Sequence, residues 1–546
     1  YLEDWPSVTN VHGRVFLNSP DLDAWIDSAE TLGGTIASGA RLRLRDTQQG
    51  TRLSLSGNIN GQAADAIGYL QTTPLADMVD NALADWSVKG EAATDISLSM
   101  ILGRDDAVPD VDLSTQLKST HLTLTDSGLN LNGINGKLAF NSATGLTAKD
   151  LSVDLFGGRF TADVRSQKIG ESYRIFADGE GSAQWTHVKK WLDLFLLDPV
   201  KGELNYQARF EVNPELASPV NLLIESDLVG TTIDLPAPMG KTNEQPRTLT
   251  TLVSPGNTSV INLNYDSFMQ LAMRVGEKGV ETGEVVFGGE NAKLTDTTGI
   301  AINGNIPTTL SVEKWWDVWD RMMLLLDQES ASGSSSGATY PKNSLGNNNP
   351  VSSVNLTIAG LNAWDIPVSK TSVTGKQAFN EWTMKVDNDL ARGSIIIRED
   401  TTAPVVLLMD YVHLPETDTP ESPDTDAVLE SSPGSDRNII PADVAELDIT
   451  IDELYYGTRN FGRWKATARP IPSGLTLNLL DSDMKGLTLK GRMDWVMREG
   501  QHATRMTGFT MSAKNVENIQ KAFRLQPVVQ GKELDGGFSL DWIGSP

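Results

Sequence analysis

The sequence predicts a mainly β protein, an elongated antiparallel β-sheet with one apolar and one wet face and a few short capping helices. Three observations predict it. Apolar residues recur with period two along most of the chain. Turn signals separate these runs at short intervals. Helical periodicity is confined to a few short segments, too few to cover a long sheet.

The period-two runs come first. Leu53 and Leu55 alternate with serine, and Ile96, Leu98, Met100 and Leu102 with polar or small residues. Leu151/Val153/Leu155, Leu222/Ile224, Ile261/Leu263, Leu271/Met273 and Val354/Leu356/Ile358 behave alike. So do Ile395/Ile397, Leu447/Ile449/Ile451, Leu475/Leu477/Leu479 and Leu487/Leu489. Successive strand residues point to opposite faces, so each run has one apolar and one wet face. An open groove would therefore be lined by Leu53, Leu55, Leu98, Met100, Leu151, Val153, Leu155, Leu222, Ile224, Ile261, Leu263, Leu271 and Met273. Val354, Leu356, Ile358, Ile395, Ile397, Leu447, Ile449, Ile451, Leu477, Leu487 and Leu489 complete the set.

Helical spacing predicts five short helices. The first starts at Ser19-Pro20-Asp21, read as an N-cap, with Leu22, Trp25, Ile26 and Ala29 on one side. The second carries Leu75, Met78, Val79, Leu83 and Trp86, and the third Val188, Trp191, Leu192, Phe195 and Leu196. The fourth carries Val312, Trp315, Trp316, Trp319, Met322, Met323 and Leu326, and the last Val516, Ile519 and Phe523. Most tryptophans are thereby expected in helices. Several strands closed by a short aromatic helix, repeated, is the implied unit. Two stretches break the pattern: residues 328–350 are Ser/Gly/Asn-rich, and residues 415–437 are Pro-rich and acidic.

Composition excludes several functions. The 546 residues carry a net charge of −26, which repels phosphate backbones, so no nucleic-acid partner is expected. There is no cysteine, so disulfides, thiolate metal sites and thiol nucleophiles are absent. No apolar stretch reaches the length of a bilayer-spanning helix. The five histidines, His12, His121, His187, His413 and His502, show no metal-ligand spacing. No nucleophile elbow, phosphate-binding loop or dinucleotide fingerprint occurs. Gly157-Gly158 reads as a turn or bulge. Asp105, Asp106, Asp110 and Asp112 lack the order of a calcium loop and read as a solvated loop. Asp387 and Asp389 read as a turn before a strand. The expectation is a protein that is not an enzyme, with no cofactor and no metal.

Two arrangements satisfy the apolar faces. They pack on each other in a closed sandwich, or another apolar substance, such as lipid, covers them.

Four segments resemble the YhdP family of the AsmA-like superfamily of Gram-negative envelopes. The first runs from Gly128-Leu129-Asn130-Leu131 through Asn135-Gly136-Lys137-Leu138 and Gly145-Leu146-Thr147-Ala148-Lys149-Asp150-Leu151 to Leu155-Phe156-Gly157-Gly158. The second runs from Glu225-Ser226-Asp227-Leu228-Val229-Gly230 to Asp234-Leu235-Pro236-Ala237-Pro238-Met239-Gly240-Lys241. The third is Ile451-Asp452-Glu453-Leu454 with Gly462-Arg463-Trp464 and Ala468-Arg469-Pro470, and the fourth is Phe538-Ser539-Leu540-Asp541-Trp542-Ile543-Gly544-Ser545-Pro546.

The resemblance implies a bridge-like lipid transfer protein with a repeating β-groove, the elongated sheet forming an open, twisted apolar groove. It implies phospholipid movement between inner and outer membranes. It also implies a periplasmic body, an inner-membrane anchor N-terminal to this section, envelope partner proteins and phospholipid acyl chains as cargo. The implied organisation is groove units over 1–327, a loop at 328–350, a groove unit over 351–414, an acidic loop at 415–437 and a late AsmA-like unit over 438–546. On this reading the chain is truncated at both ends. The alternative function is a structural or adhesive β-solenoid or multi-sandwich envelope protein with a closed core.

Overall fold

The computed structural model describes residues 7–31, 34–36, 39–72, 86–103, 109–124, 129–169, 172–192, 197–213, 220–256, 258–276, 279–318, 321, 351–363, 366–398, 403–415, 441–498, 500–522 and 531–546. The chain divides into two compact units, Tyr1–Gly283 with Gly289–Asp296, and Glu284–Gly288 with Thr297–Pro546.

The first unit holds β1 (Thr9–Asn18), β2 (Asp21–Thr31), β3 (Gly34–Ile36), β4 (Ala40–Thr47), β5 (Gly50–Gln62), β6 (Trp86–Ile101), β7 (Asp110–Leu124), β8 (Leu129–Asn141) and β9 (Gly145–Leu155). It continues with β10 (Gly158–Ile169), β11 (Ser172–Gln184), β12 (Val200–Val212), β13 (Val220–Ser226), β14 (Thr231–Ile233), β15 (Leu249–Ser254), β16 (Ser259–Tyr265) and β17 (Met269–Gly276). Every pairing from β1 to β17 is antiparallel. The short β3 and β14 pair beside the main run. β18 (Gly279–Phe287) is divided between the units.

The second unit holds β19 (Gly299–Ser311), β20 (Val351–Ala363), β21 (Ile366–Val368), β22 (Thr371–Ala378), β23 (Glu381–Asp387), β24 (Ala391–Arg398) and β25 (Val405–Leu414). It ends with β26 (Leu447–Tyr456), β27 (Arg459–Asn460), β28 (Arg463–Ile471), β29 (Gly474–Asp483), β30 (Leu487–Arg498), β31 (Gln501–Ala513) and β32 (Leu534–Ile543). Its pairings are antiparallel except two: β19 with β20, and β25 with β26, run parallel. Within each unit the described strands form an open sheet, with no pairing that closes it. The mainly β, open-sheet expectation therefore holds, with a mixed sheet in place of a purely antiparallel one.

The two parallel pairs sit where the sequence breaks pattern. A parallel neighbour requires the chain to return along the whole strand before pairing again. Residues 312–350 and 415–446 make these returns, so the low-complexity stretches lie inside obligatory crossovers. Residues 328–350 and 416–437 themselves lie outside the described residues.

Three named helices are described: Ala63–Thr72, Trp185–Leu192 and Val516–Ala522; residues 312–318 are also helical. The expected third, fourth and fifth helices are thus present in part; Phe195, Leu196, Trp319, Met322, Met323, Leu326 and Phe523 lie outside the described residues. The first expected helix is wrong. Asp21–Thr31 is a strand, paired on both sides, and Ser19-Pro20 is its hairpin turn. Leu22, Ala24 and Ile26 share a face with period two, and pairing with two neighbours overrides the accidental three-four spacing. Trp86 opens β6 and ends no helix, while Leu75, Met78, Val79 and Leu83 lie outside the described residues. The helix Ala63–Thr72 was not expected. Nor are the described tryptophans mostly helical: Trp25, Trp86, Trp382, Trp464, Trp495 and Trp542 stand in strands. No described helix is long and apolar enough to cross a membrane.

In each unit the long connections leave from one end of the strands. Residues 63–85, 185–199 and 227–248 do so in the first unit, and 312–350, 415–446 and 514–533 in the second. At the other end of β4–β17, connections are two to eight residues long.

The crossover geometry sets a length limit. A return along β25 spans nine residue steps, about 30 Å at about 3.3 Å each. Replacing 415–437 by a Gly/Ser linker of about eight residues should leave the melting temperature within about 3 °C, because loop length enters stability logarithmically. Cutting the whole 415–446 connection to a four-residue turn should abolish β25–β26 pairing. Thermal melts and hydrogen exchange over 447–456 check both outcomes.

Candidate apolar face

Cross-strand register decides which side chains share a face. In β4–β7, Leu44 lies opposite Leu53, Leu53 opposite Met100, Leu55 opposite Leu98, and Leu98 opposite Val111. Leu113 lies opposite Phe140, and Phe140 opposite Leu146. Leu151, Val153 and Leu155 face Ala162, Phe160 and Gly158. From β10 to β17 one row of direct partners runs Val164, Ala177, Phe210, Leu222, Val253, Ile261, Met273. The adjacent row runs Ala208, Ile224, Thr251, Leu263, Leu271.

The second unit repeats the pattern. Leu356 lies opposite Val373, Val373 opposite Val386, Met384 opposite Ile395, and Ile395 opposite Leu407. Leu407 meets Ile449 across the parallel pair, Ile449 meets Ala466, and Ala466 meets Leu479. Leu477 lies opposite Met493, and Met493 opposite Met506. Val354, Ile358, Ile397, Leu447, Ile451, Leu487 and Leu489 flank these residues at two-residue intervals.

Burial shows how the face is covered. Of the 24 expected lining residues, Leu98, Val153, Met273 and Ile358 are buried and the other twenty are half-buried. Leu98 and Val111 form a cluster with Leu53, Leu55, Met100, Leu113 and Phe140, all side-by-side neighbours on one face of β5–β8. Leu122, Ile134 and Val153 cluster with neighbours on β6–β10, and Ala466, Leu479 and Phe509 with neighbours on β26–β32. None of these three clusters draws a described residue from an opposing sheet or helix. A closed sandwich buries its inner faces against a second layer; these clusters consist of one layer.

Curvature is built into the strands. Register shifts lie side by side across β6–β9, with Gly90, Ser119, Gly133 and Asp150 at positive φ. Each bulge bends its strand and frees backbone N–H groups. Neighbouring side chains take these up: Ser119 N–H donates to Asn135 Oδ1 at 2.9 Å, Gly133 N–H to His121 Nδ1 at 3.3 Å, and Asp150 N–H to Asp163 Oδ1 at 2.8 Å. The second unit has shifts at Arg392/Gly393, Lys465/Ala466, Lys490/Arg492 and Met506/Phe509. Side by side in β6–β9, these bulges bend adjacent strands at neighbouring positions.

The opposite face is polar. Asp178 accepts from Arg209 at 2.5 Å and from Arg165 at 3.2 Å, and these guanidiniums hold its carboxyl below the usual range against the opposing effect of burial. Arg174 pairs with Glu211 and Arg45 with Asp23.

No chemistry gathers at the other sequence-flagged residues. Asp110 accepts from Ser142 and Asp112 from Asn141, while Asp105 and Asp106 lie outside the described residues. Among the described residues no three His, Cys, Asp or Glu could hold a metal ion. Asp387 pairs with Arg392, and Asp389 accepts from Ser369 N–H in the turn before β24. His413 lies tilted against Tyr411 and edge-on to Tyr455, and His502 Nδ1 accepts from Trp495 Nε1 at 3.1 Å. Phe156 and Gly157 are the positive-φ residues of the β9–β10 turn, and a side chain at Gly157 would strike His187.

The geometry meets an independent comparison. The family model described as YhdP protein matches residues 1–546. The chain belongs to the YhdP family. No curated protein and no solved structure matches it.

The sequence reading missed part of this YhdP-family face. Phe140, Phe160, Phe210, Val253 and Met493 lie on it. Phe210 had a legible signal, alternating with Arg209 and Glu211. Leu407 did not, because Val405-Val406-Leu407-Leu408-Met409 is apolar on both faces.

One end of the face in the first unit is capped. Trp185 and Val188, from the helix Trp185–Leu192, are buried with Leu204, Tyr206, Leu228 and Tyr265. Trp185 Nε1 donates to Thr231 Oγ1 at 2.9 Å, and buried Lys241 donates to the carbonyls of Leu228 and Thr231. Tyr206 stacks on Phe160 at 5.7 Å. Among the described residues its hydroxyl is buried without a hydrogen-bond partner, and burial pushes its pKa up to about 12.

A Tyr206→Phe variant should therefore lose no stability at neutral pH, where an ordinary buried tyrosine loses a hydrogen bond worth about 1 kcal/mol. The folded pKa lies above the unfolded value of about 10, so the wild type loses stability as pH rises from 10 through about 12. The variant should lose less over that window. Urea melts from pH 8 to pH 12 check both statements.

Proposed function

We propose that this chain provides a path for phospholipid acyl chains along its apolar face, within a bridge-like lipid transfer protein. The observation that carries the reading is the one-layer construction of the face: rows of Leu, Ile, Val, Met and Phe run from strand to strand, bent by aligned bulges, and among the described residues no second protein layer lies over the three clusters. Membership of the YhdP family supports the same reading.

The energetics favour it. Exposing an acyl chain to water costs about 0.8 kcal/mol per CH₂, so a sixteen-carbon chain carries roughly 12 kcal/mol against crossing water unaided. An aliphatic wall removes much of that cost. Similar side chains on successive strands leave small energy differences between neighbouring positions, so the chain can slide. Headgroups stay in water on the open side. In this reading the cargo moves between inner and outer membranes, in the periplasm, with an inner-membrane anchor and envelope proteins as partners. No cofactor or catalytic step is needed along the wall.

Ile395 and Leu407 test the reading, because they lie directly opposite each other, half-buried and outside every buried cluster. In an open wall, Ile395→Asp with Leu407→Asp should fold, at a cost of about 1–2 kcal/mol, since both carboxylates reach water. A benzophenone side chain placed at Leu407 in the parent should capture phospholipid from vesicles. The same probe at Ile449 should capture markedly less when the two aspartates are present. Unfolding of the double variant together with no lipid capture in the parent would establish a closed core instead.

A further inference from the structure

Resting on that reading, we infer that within the first unit the phospholipid occupies a single lane, on the row Phe210, Leu222, Val253, Ile261, and that Lys168 binds its phosphate. The face of β12–β16 is not uniform along the strands. Toward the end that carries the long connections, Tyr206, Leu249, Tyr265 and Met269 belong to the cluster closed by Trp185, Val188 and Leu228. That end already has its apolar cover. It is latched by the Trp185–Thr231 hydrogen bond and by the two carbonyls that Lys241 holds. An acyl chain gains nothing there without displacing protein.

In the adjacent row Ala208, Ile224 and Leu263 still pack against that cluster, and the row beyond it does not. Phe210, Leu222, Val253 and Ile261 are direct partners on four neighbouring strands, half-buried, and part of no buried cluster. Strands stand about 4.8 Å apart, so the row offers a continuous apolar lane about 14 Å long between its outer strands. Its direction is across the strands, and the wall it leaves bare is the one nearest the short connections.

The charge on this face is equally uneven. Along the apolar-face positions of β10–β17 the one charged strand residue is Lys168. It lies opposite Tyr173, four residues along β10 from Val164, whose row continues into Phe210. That offset is about 13 Å toward the short connections. Lys168 is exposed, its ammonium 6.0 Å from the Tyr173 ring centroid, and no described carboxylate lies within ion-pair distance of it. In a chain of net charge −26, a cation with no described carboxylate partner at the rim of an apolar wall is where the phosphate of a phospholipid finds a counter-charge.

The experiment uses the full chain and vesicles of phosphatidylethanolamine and phosphatidylglycerol. Benzophenone side chains are placed singly at Leu222, Ile261, Leu249, Met269 and, as a control in the second unit, Leu407. Lipid capture is expected at Leu222 and Ile261 and at the control, with Leu249 and Met269 near background. Lys168→Glu should lower capture at Leu222 about two- to fivefold, the scale of one exposed ion pair, and leave Leu407 unchanged. Lys168→Arg should restore it. Millimolar inorganic phosphate should not displace the lipid; displacement would assign Lys168 to free phosphate and overturn the headgroup contact. Equal capture at Leu249 and Leu222 would overturn the single lane while leaving the path itself standing. No capture at any position, control included, would overturn the path.

Discussion

The structure depends on one constraint, the phase of side chains across a sheet. A strand presents alternate residues to opposite faces, so a slip of one residue sends a whole apolar set into water. Here the phase is kept through every described pairing. The two parallel pairs keep it too, since Leu407 still meets Ile449. The bulges keep it by adding residues without reversing the face: Ala148 and Leu151 both stay on the apolar side around Asp150. Curvature is thus gained without loss of pattern.

A sheet with one apolar face must still cover it. Most proteins use helices or a second sheet. This chain does so locally, where the helix Trp185–Leu192 closes one end of the first unit's face. Other helices bury Ala63, Val318, Val516 and Ile519, whereas the three clusters on β5–β10 and β26–β32 pack through neighbours on their own face. Half-burial across twenty of the expected lining residues is a compromise: enough packing to hold the wall, enough bare surface to receive an apolar guest. The polar face, with its Arg–Asp and Arg–Glu ladders, keeps the other side in water.

The sequence was legible where one physical rule acted alone. Period-two runs such as Leu53/Leu55 and Val354/Leu356/Ile358 became strands because alternation is a local property. Asp21–Thr31 was misread because its spacing also fits a helix, and only pairing with two neighbours decides between them. The parallel pairs carry no local signature; they show only as unusually long connections. The bulges were hidden for the same reason, since Ser119 and Asp150 look like ordinary strand residues until the partner strand reveals the extra residue. Where each apolar side chain points was readable, but which part of the face a helix covers was not.

The central claim is that the face is open to water and to lipid. Spin labels at Leu55 and Ile397, both half-buried on this face, test it most directly by collision with soluble relaxants. In the lipid-free chain, both labels should be accessible to a water-soluble nickel chelate. After loading with phospholipid, chelate access should fall while access to dissolved oxygen rises. Labels shielded from the chelate in both states, with no response to lipid, would contradict the account and identify a closed protein core.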